Sequence, residues 1–392
     1  MNANLLLLMV CQGVLLTNNV TFIAINGLVG LSLAPLGWMA TLPVMGYVVG
    51  GALSTGLVAK SQSRWGRQAS FQLGLGVAFG SALLAAYAAW RHDFWLLVSA
   101  TFIAGYYSAN GQLYRFAAAE LATPDFREKA VSLVLAGGLI GAIAGPNLAS
   151  GTRGMTETPF VGAYLGLAGV AVLGMVLMAF IRFPAELTKT AASAAGRPLR
   201  QIMRQPVFIV AAAAAALGYG VMNLLMAATP LAMQVCGFQF SDAALVLEWH
   251  VIGMFAPGFF TGSLIKRFGA LPIMGVGVLL NLLCIGIALS GVDLHQFLIA
   301  LFLLGVGWNF LFTGSTTLSM KAWTPEEKDR GQAAINFFVF ATMALTSFAS
   351  GALVTTQGWT WLNVGSLLPV GLTGVALVWL WFKQRNAPAA TA

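Results

Sequence analysis

The stretch Arg64-Trp65-Gly66-Arg67 lies between two apolar runs, and a related stretch, Arg267-Phe268-Gly269, lies between two other apolar runs 203 residues later. A second pair recurs at an offset of 201 residues: Thr123-Pro124-Asp125-Phe126-Arg127-Glu128-Lys129 and Thr324-Pro325-Glu326-Glu327-Lys328-Asp329-Arg330. Two matches at nearly the same offset indicate an internal repeat. The sequence therefore predicts two halves that contain the same order of segments.

The composition places both halves in a membrane. Of the 392 residues, 58% are hydrophobic and 8% are charged, whereas a soluble domain has about 25% charged residues. Twelve acidic and twenty basic side chains cannot cover the surface of a soluble protein of this size. We therefore expect an all-α polytopic membrane protein with twelve transmembrane helices of about 20 residues each. The predicted spans are 4–32, 37–60, 69–90, 94–120, 130–150, 160–181, 206–233, 240–265, 270–290, 294–319, 331–354 and 360–382.

The longest polar stretch divides these spans into two groups of six. We predict an N-terminal half over 1–181, a cytoplasmic linker over 182–205, a C-terminal half over 206–383 and a tail over 384–392. Seventeen of the twenty Lys and Arg residues fall in loops and the tail on one side of the membrane, and only Arg91 and Arg153 fall on the other. By the positive-inside rule both termini are cytoplasmic. The net charge of +8 is thereby explained without a nucleic-acid partner.

Three further stretches carry motifs of a known family. They are Gly262-Ser263-Leu264-Ile265-Lys266-Arg267-Phe268-Gly269, Ala119-Glu120-Leu121-Ala122-Thr123-Pro124 and Gly141-Ala142-Ile143-Ala144-Gly145-Pro146. With these motifs the chain resembles the major facilitator superfamily of secondary transporters. The first-half copy of the loop motif is degraded, because Ser63 and Ala59 stand where the family carries Asp and Gly. The resemblance implies a monomer in the plasma (inner) membrane of a bacterium, whose two halves rock to expose a central site to each side in turn.

The resemblance also implies roles for loop and span residues. The loops would form a conformational latch from Arg64, Gly66, Arg67, Lys266, Arg267 and Gly269. In span 5, Gly141, Gly145 and Pro146 are similar to the pattern of antiporter branches, which favours export in exchange for protons. Small residues and a proline kink also serve close helix packing in any membrane bundle, so both interpretations stay open.

Polar and aromatic residues near the middle of spans 1, 4, 7 and 10 are the candidate substrate-binding groups. The resemblance places these four spans around the central cavity. The candidates are Asn18, Asn19, Tyr107, Asn110, Arg115, Tyr219, Asn223, Trp308 and Asn309. Asparagine in a span also serves as a hydrogen-bonding link between helices, and an arginine near a span end also reaches the interface with its long side chain. Both alternatives stay open for each residue.

Glu248 and His250 lie within span 8, where an ionisable group is costly and is a functional candidate by default. Burial favours a protonated carboxyl group, and histidine titrates near neutral pH. The two residues therefore predict a proton-coupling site. The alternative is that Glu248 pairs with a neighbouring helix and has a structural role.

The combined prediction is a secondary active transporter that moves a small amphipathic or aromatic solute by alternating access, coupled to protons and leaning towards efflux antiport. The alternative in the same class is a proton-coupled importer of a vitamin-like metabolite. A membrane-embedded enzyme is an alternative from another class, but the sequence has no metal cluster and no G-x-S-x-G motif. A passive channel is a further alternative, but it would not need Glu248 and His250. We expect the solute, protons and the lipid bilayer as partners, and no cofactor.

Overall fold

The computed structural model describes residues 3–123, 127–183, 197–324 and 327–386, and these residues form α-helices and short connections. The first half contains α1 Ala3–Leu33, α2 Leu42–Arg91, α3 Phe94–Gly111, α4 Tyr114–Leu121, α5 Arg127–Ala136, α6 Gly138–Thr152 and α7 Val161–Ala179. The second half contains α8 Leu199–Met203, α9 Pro206–Val235, α10 Phe240–Phe255, α11 Gly258–Phe268, α12 Ala270–Ser290, α13 Leu294–Ser319, α14 Lys328–Thr356 and α15 Gly358–Arg385. The predicted all-α membrane fold is confirmed.

Eleven helices among the described residues are long and apolar enough to span a membrane. The predicted fourth span, 94–120, is not one continuous helix, because the backbone turns at Gln112 and Leu113 between α3 and α4. Span 8 is likewise divided into α10 and α11 at Pro257, which has no backbone N–H to continue the helical ladder. Most of the predicted linker and tail, 184–196 and 387–392, lies outside the described residues.

Two glycines at equivalent positions of the repeat turn the chain between spans. Gly66 has φ 80° and Gly269 has φ 89°, in the left-handed region where a residue without Cβ is not strained. The turn at Gly66 lies inside α2, and the turn at Gly269 lies between α11 and α12. The two loops that carry the sequence repeat therefore share one backbone conformation.

The helices alternate in direction between two ends of the bundle. We call the end that holds Ala3, Gly66 and Gly269 the N-terminal face. We call the opposite end, which holds His92 and Arg153, the distal face. The N-terminal face carries the loops that are rich in basic residues, and the distal face carries few.

Hydrogen bonds between the two halves lie between mid-depth and the distal face of the bundle, among the described residues. Thr41 at the start of α2 accepts a hydrogen bond from the backbone N–H of Gly351 in α14 at 3.0 Å, and its hydroxyl donates to the Phe348 carbonyl at 3.4 Å. Asn147 in α6 donates to a carboxylate oxygen of Glu248 in α10 at 2.9 Å. These contacts hold the distal ends of the halves together.

Candidate functional site

A first polar cluster forms around Tyr47, at mid-depth in the first half. The Asn18 amide donates to the Tyr47 hydroxyl at 3.3 Å, and that hydroxyl donates to the Asn19 side-chain oxygen. Ser108 lies near the same hydroxyl, so spans 1, 2 and 4 meet at this point. Asn19 is half-buried, whereas Asn18 and Tyr47 are buried. We call Asn18, Asn19, Tyr47 and Ser108 the tyrosine–amide cluster.

A second cluster lies at mid-depth in the second half and consists of aromatic rings. Trp308 stacks on Phe312 with ring centroids 5.1 Å apart, and Tyr219 lies edge-on to both rings at 5.3 Å and 5.6 Å. Phe255 packs edge-on against Trp308 at 6.2 Å. The indole N–H of Trp308 is buried and has no hydrogen-bond partner among the described residues. We call Tyr219, Phe255, Trp308 and Phe312 the aromatic cluster.

Arg115 connects the first half to the aromatic cluster. It lies in α4, and it interacts electrostatically with Tyr219 in α9. Phe255 likewise reaches the first half, where an added Cβ on Gly138 would lie 3.7 Å from the Phe255 ring. The predicted candidates Arg115, Tyr219 and Trp308 are therefore brought together at the boundary between the halves. Aromatic rings and the donor groups of an indole and a guanidinium therefore lie close together at this boundary.

Two of the amide side chains predicted to bind substrate instead hydrogen-bond to another helix of their own half. Asn110 donates to the Ser70 carbonyl at 2.8 Å and joins α3 to α2. Asn223 donates to the hydroxyls of Thr346 and Ser347 at 3.0 Å and 2.8 Å, which joins α9 to α14. The structure thus gives these side chains the helix-linking contacts that were the alternative interpretation of the sequence.

Asn309 and Tyr107 are also in helix contacts. The Asn309 amide donates to the Met254 carbonyl at 2.7 Å, and its oxygen accepts from the Thr261 hydroxyl at 2.7 Å. Tyr107 is 1% exposed and lies beside Tyr114 in the core of the first half. Neither side chain belongs to the two clusters defined above.

Glu248 and His250 make separate contacts. Glu248 is half-buried and binds Asn147 across the boundary between the halves, eight residues or about 12 Å from the start of α10. His250 is fully buried, and its Nδ1 lies 2.6 Å from the Leu301 carbonyl of α13. Because a carbonyl only accepts, Nδ1 carries the proton and the imidazole can be neutral. Glu248 therefore lies at the boundary between the halves, whereas His250 joins two helices of one half.

The first-half loop at the N-terminal face contains a bidentate ion pair. Arg67 binds both carboxylate oxygens of Glu120 at the end of α4, at 3.0 Å and 2.5 Å, and also binds Gln62. Paired N–H donors and a carboxylate make a geometrically specific contact. Glu120 therefore supplies a partner for Arg67 although Ser63 replaces the aspartate of the family pattern.

The remaining latch residues repeat one arrangement in both halves. The Arg64 guanidinium lies 5.8 Å from the Trp65 ring, and the Arg267 guanidinium lies 5.1 Å from the Phe268 ring. These residues and Lys266 are exposed at the N-terminal face. The latch function itself stays a prediction.

A second ion pair ties the start of the second half to the loop before α14. The backbone N–H and guanidinium of Arg197 donate to Glu327 at 2.7–2.9 Å, and Arg197 also donates to the Ala322 carbonyl at 3.1 Å. The hydrogen bonds from the Arg197 side chain and backbone lower the pKa of Glu327 to about 2. The carboxylate is buried and charged, and it anchors the end of the linker.

The span-5 motif packs α6 closely against α1. An added Cβ on Gly141 would overlap Leu16 and would lie 2.5 Å from the Thr17 backbone nitrogen, and one on Gly145 would lie 2.9 Å from Val20. Pro146 is in α6 without ending it. The structure thus gives these small residues a packing role within the first half.

The sequence matches one known protein family along nearly its whole length. A family model described as Major Facilitator Superfamily matches residues 5–256 and 243–392. The chain belongs to the major facilitator superfamily. It is therefore a secondary transporter and not an enzyme, as predicted.

Sequence relatives cover nearly the same length. The chain is 37% identical over 388 residues to the riboflavin transporter RfnT of Brucella anthropi. The aligned region covers 98% of this chain and 97% of that protein. It is 27% identical to the uncharacterized MFS-type transporter YddS of Bacillus subtilis, with 88% of this chain and 83% of that protein covered. The first relative thus matches from end to end.

Two solved structures share the fold. A point mutant of the nucleoside transporter NupG superposes with a TM-score of 0.72 at 12% identity over 96% of this chain and 98% of that chain. A bacterial homolog of the human lysosomal transporter Spinster, in an inward-facing and occupied conformation, gives 0.73 at 15% identity over 98% of both chains. At these identities the likeness concerns the fold alone.

Sequence reasoning missed Tyr47, Phe255 and Phe312. Each lies in a span that contains at least one other aromatic residue, so residue type alone does not single it out. The spacing of Trp308 and Phe312, four residues apart on one helix face, was the one available indication of a stacked pair.

Proposed function

We propose that this protein is a proton-coupled transporter of riboflavin. The observation that carries the proposal is the 37% identity to a riboflavin transporter over 98% of this chain. An aligned relative of nearly equal length supports a shared substrate more strongly than a shared fold does. The clusters at mid-depth supply the groups that such a substrate needs.

The aromatic cluster suits the flavin ring system. Riboflavin has a flat three-ring system with two carbonyl groups at one edge and is neutral at pH 7. The stacked rings of Trp308 and Phe312 and the edge of Tyr219 offer an apolar surface of matching shape. The indole N–H of Trp308, which has no hydrogen-bond partner among the described residues, can donate to a ring carbonyl, and Arg115 lies nearby. Together these residues form the flavin subsite of the proposal.

The tyrosine–amide cluster suits the polyol chain of riboflavin. Asn19 is half-buried, and its side-chain oxygen already accepts from Tyr47, which fixes its orientation. Its amide N–H groups remain to donate to a hydroxyl. The proposed site therefore lies between the halves, with the ring on the second half and the chain on the first.

Glu248 is the proton-coupling residue of the proposal. A carboxylate inside the membrane is stable when protonated or when hydrogen-bonded to a partner. Its partner Asn147 belongs to the other half, so rocking of the halves breaks this hydrogen bond. Loss of the partner favours uptake of a proton, which ties protonation to the conformational change.

The proposed location is the cytoplasmic membrane of a bacterium, with the N-terminal face inside. Seventeen basic residues on one side against Arg91 and Arg153 on the other support this orientation. A cysteine at Arg91 should react with an impermeant reagent on intact cells. Reaction of a cysteine at Arg385 under the same conditions would contradict the orientation.

Riboflavin uptake into liposomes tests the substrate. The reconstituted protein should accumulate riboflavin when a proton gradient is imposed, and Trp308→Ala should reduce uptake about tenfold or more because it removes both the stacking surface and the donor. The matched control is Trp361→Ala, because Trp361 is exposed on α15. Equal uptake by Trp308→Ala and Trp361→Ala would contradict the flavin subsite.

The same liposomes test coupling and direction. Glu248→Gln should abolish accumulation and leave riboflavin exchange without a gradient largely intact, since glutamine keeps a hydrogen-bonding group but cannot titrate. Accumulation by Glu248→Gln would assign the residue to structure. The efflux alternative, which rests on the span-5 motif, predicts that riboflavin moves against the proton flux when the gradient is reversed.

A further inference from the structure

A second cavity lies at the distal face, away from the clusters at mid-depth. It has a volume of about 770 Å³ and opens towards the distal surface, within the range of about 300–1,000 Å³ that small-molecule sites occupy. Its lining includes His92, Arg153 and Phe160 of the first half with Gln234 and Phe240 of the second. We call this cavity the distal vestibule.

The floor of the vestibule separates it from the mid-depth clusters. α1 and α9 approach closely below it, where an added Cβ on Gly27 would lie 3.7 Å from the Ala227 carbonyl and from Leu231. The residues Leu28 and Pro230, on these same two helices, line the vestibule itself. A molecule in the vestibule would therefore lie above the contact between the halves.

Two residues with left-handed backbone lie in the vestibule wall, at the end of α2 and before the start of α7. His92 has φ 56° and Phe160 has φ 68°, and these are the two non-glycine residues with positive φ in the described parts of the chain. At His92 this conformation ends α2, as is common at a helix C-terminus, whereas at the bulky Phe160 it persists because the surroundings hold it. Both residues line the same cavity, a clustering that is typical of binding sites.

Arg153 is positioned in the wall by aromatic rings. Its guanidinium lies 5.2 Å from the Phe160 ring centre and 5.6 Å from the Phe240 ring centre, and these two rings meet edge-on at 5.2 Å across the halves. Within the described ranges it forms no ion pair with a carboxylate. These cation–π contacts use no N–H donor of a conventional hydrogen bond, so the guanidinium can still donate to a ligand.

The lining favours a ligand that brings hydrogen-bond acceptors. Arg153 is exposed, the Gln234 amide is exposed in the same lining, and the lining contains no acidic side chain among the described residues. Phe238, Phe240 and Pro230 add apolar surface. This combination suits a flat ring with carbonyl groups or a ring that carries a phosphate, and it disfavours a cation.

We propose that the distal vestibule is a second flavin-binding site, in which Arg153 and Gln234 donate to acceptor groups of the ligand. This inference rests on the proposed function, because the transported solute is the acceptor-rich planar molecule that reaches this face. The acceptors are the ring carbonyls of riboflavin or the phosphate of its monophosphate. The site is separate from the subsite around Trp308.

Equilibrium dialysis of the purified protein against riboflavin tests the inference. The wild-type protein should bind two molecules per chain, and Arg153→Gln and Trp308→Ala should each bind one. Gln234→Ala, a milder change, should weaken the Arg153-dependent site about fivefold and leave the other unchanged. Arg91→Gln is the matched control, because Arg91 is an exposed arginine at the same face that does not line the vestibule.

The outcomes separate this inference from the proposed function. One riboflavin per chain, bound equally by wild type, Arg153→Gln and Gln234→Ala, would overturn the vestibule site and leave the transport proposal standing. No riboflavin bound by the wild type would overturn the proposed function and the second site with it. Riboflavin monophosphate that displaces only the Arg153-dependent molecule supports the site and assigns the guanidinium to the phosphate. Riboflavin bound there without competition from the monophosphate supports the ring carbonyls as the acceptors.

Discussion

Replacement of Gly351 by alanine should open the distal side of the transporter. An added Cβ at this position would overlap the Thr41 hydroxyl and lie 2.9 Å from both the Thr41 methyl carbon and its backbone nitrogen. The start of α2 must then move away from α14, since part of the obstacle is backbone. Overpacking of this kind costs about 1–3 kcal/mol, and the cost applies only while the distal ends are in contact. The fraction of molecules open at the distal face should rise by about 5- to 150-fold.

A cysteine at Ala227 reports this opening. Ala227 is 1% exposed and lies under the vestibule, so its reaction with a maleimide requires separation of the distal ends. The background protein should lack the native cysteines Cys11, Cys236 and Cys284. The labelling rate should rise in proportion to the open fraction in Gly351→Ala.

Two further variants test whether the contact between Thr41 and Gly351 keeps the distal side closed. Thr41→Val keeps the volume and removes the hydrogen bonds to α14, so labelling should rise only about fivefold, the equivalent of about 1 kcal/mol. Gly365→Ala in α15 is the control, because no atom lies within 4 Å of its added Cβ. Unchanged labelling in Gly351→Ala with a normal melting temperature would refute the view that this contact closes the distal side.

Three other changes have expected outcomes. Glu327→Gln should lower the melting temperature above about pH 5 and have little effect near pH 2. Arg197 lowers the pKa of Glu327 to about 2, so the stabilisation by this carboxylate is lost as pH falls from about 4.5 towards 2. A constant difference in melting temperature from about pH 2 to 7 would contradict this. Gly50→Ala should destabilise the protein by about 1–3 kcal/mol in thermal unfolding, since its Cβ would overlap a backbone carbonyl of α3. Gly56→Ala has open space within α2 and should be neutral or stabilising by up to about 1 kcal/mol. Tyr47→Phe should raise the KM for riboflavin about fivefold without a comparable loss of stability, because it removes the hydroxyl that orients the Asn18 and Asn19 side chains. An unchanged KM would exclude the tyrosine–amide cluster from the proposed site.

The spans could be predicted from the sequence because each is an uninterrupted apolar run with a polar or glycine boundary. The predicted 270–290 and 294–319 coincide with α12 and α13. The division of the fourth span at Gln112 could not be predicted, since Gly111 packs on Leu15 of α1 at this point and the partner helix is distant in sequence. The length of an apolar run thus determines where a helix crosses the membrane, and tertiary contacts determine where that helix bends.

The candidate site was less predictable than the spans. Asn19 and Asn223 look alike in sequence, each an amide near the middle of a span, yet Asn19 is half-buried at the tyrosine–amide cluster while Asn223 is tied to α14. A helical period shows which residues share a face but not which helix lies opposite. Tyr219 and Trp308 could be named as candidates from their positions in equivalent spans, but their contact across helices is visible only in the fold.

Proton binding by Glu248 would make accumulation of the solute depend on the membrane potential. The other acidic residues of the chain fall outside the apolar runs or at their ends, so this carboxyl group is the acid that could carry a proton within a span. In the proposed function the solute is riboflavin, which is neutral, and its movement together with one proton would carry one positive charge across the membrane. A potential of 100 mV contributes about 2.3 kcal/mol to each such charge, which is about a 50-fold concentration ratio at about 1.4 kcal/mol per tenfold. Accumulation should therefore respond to membrane voltage in the wild-type protein, and exchange by Glu248→Gln should not.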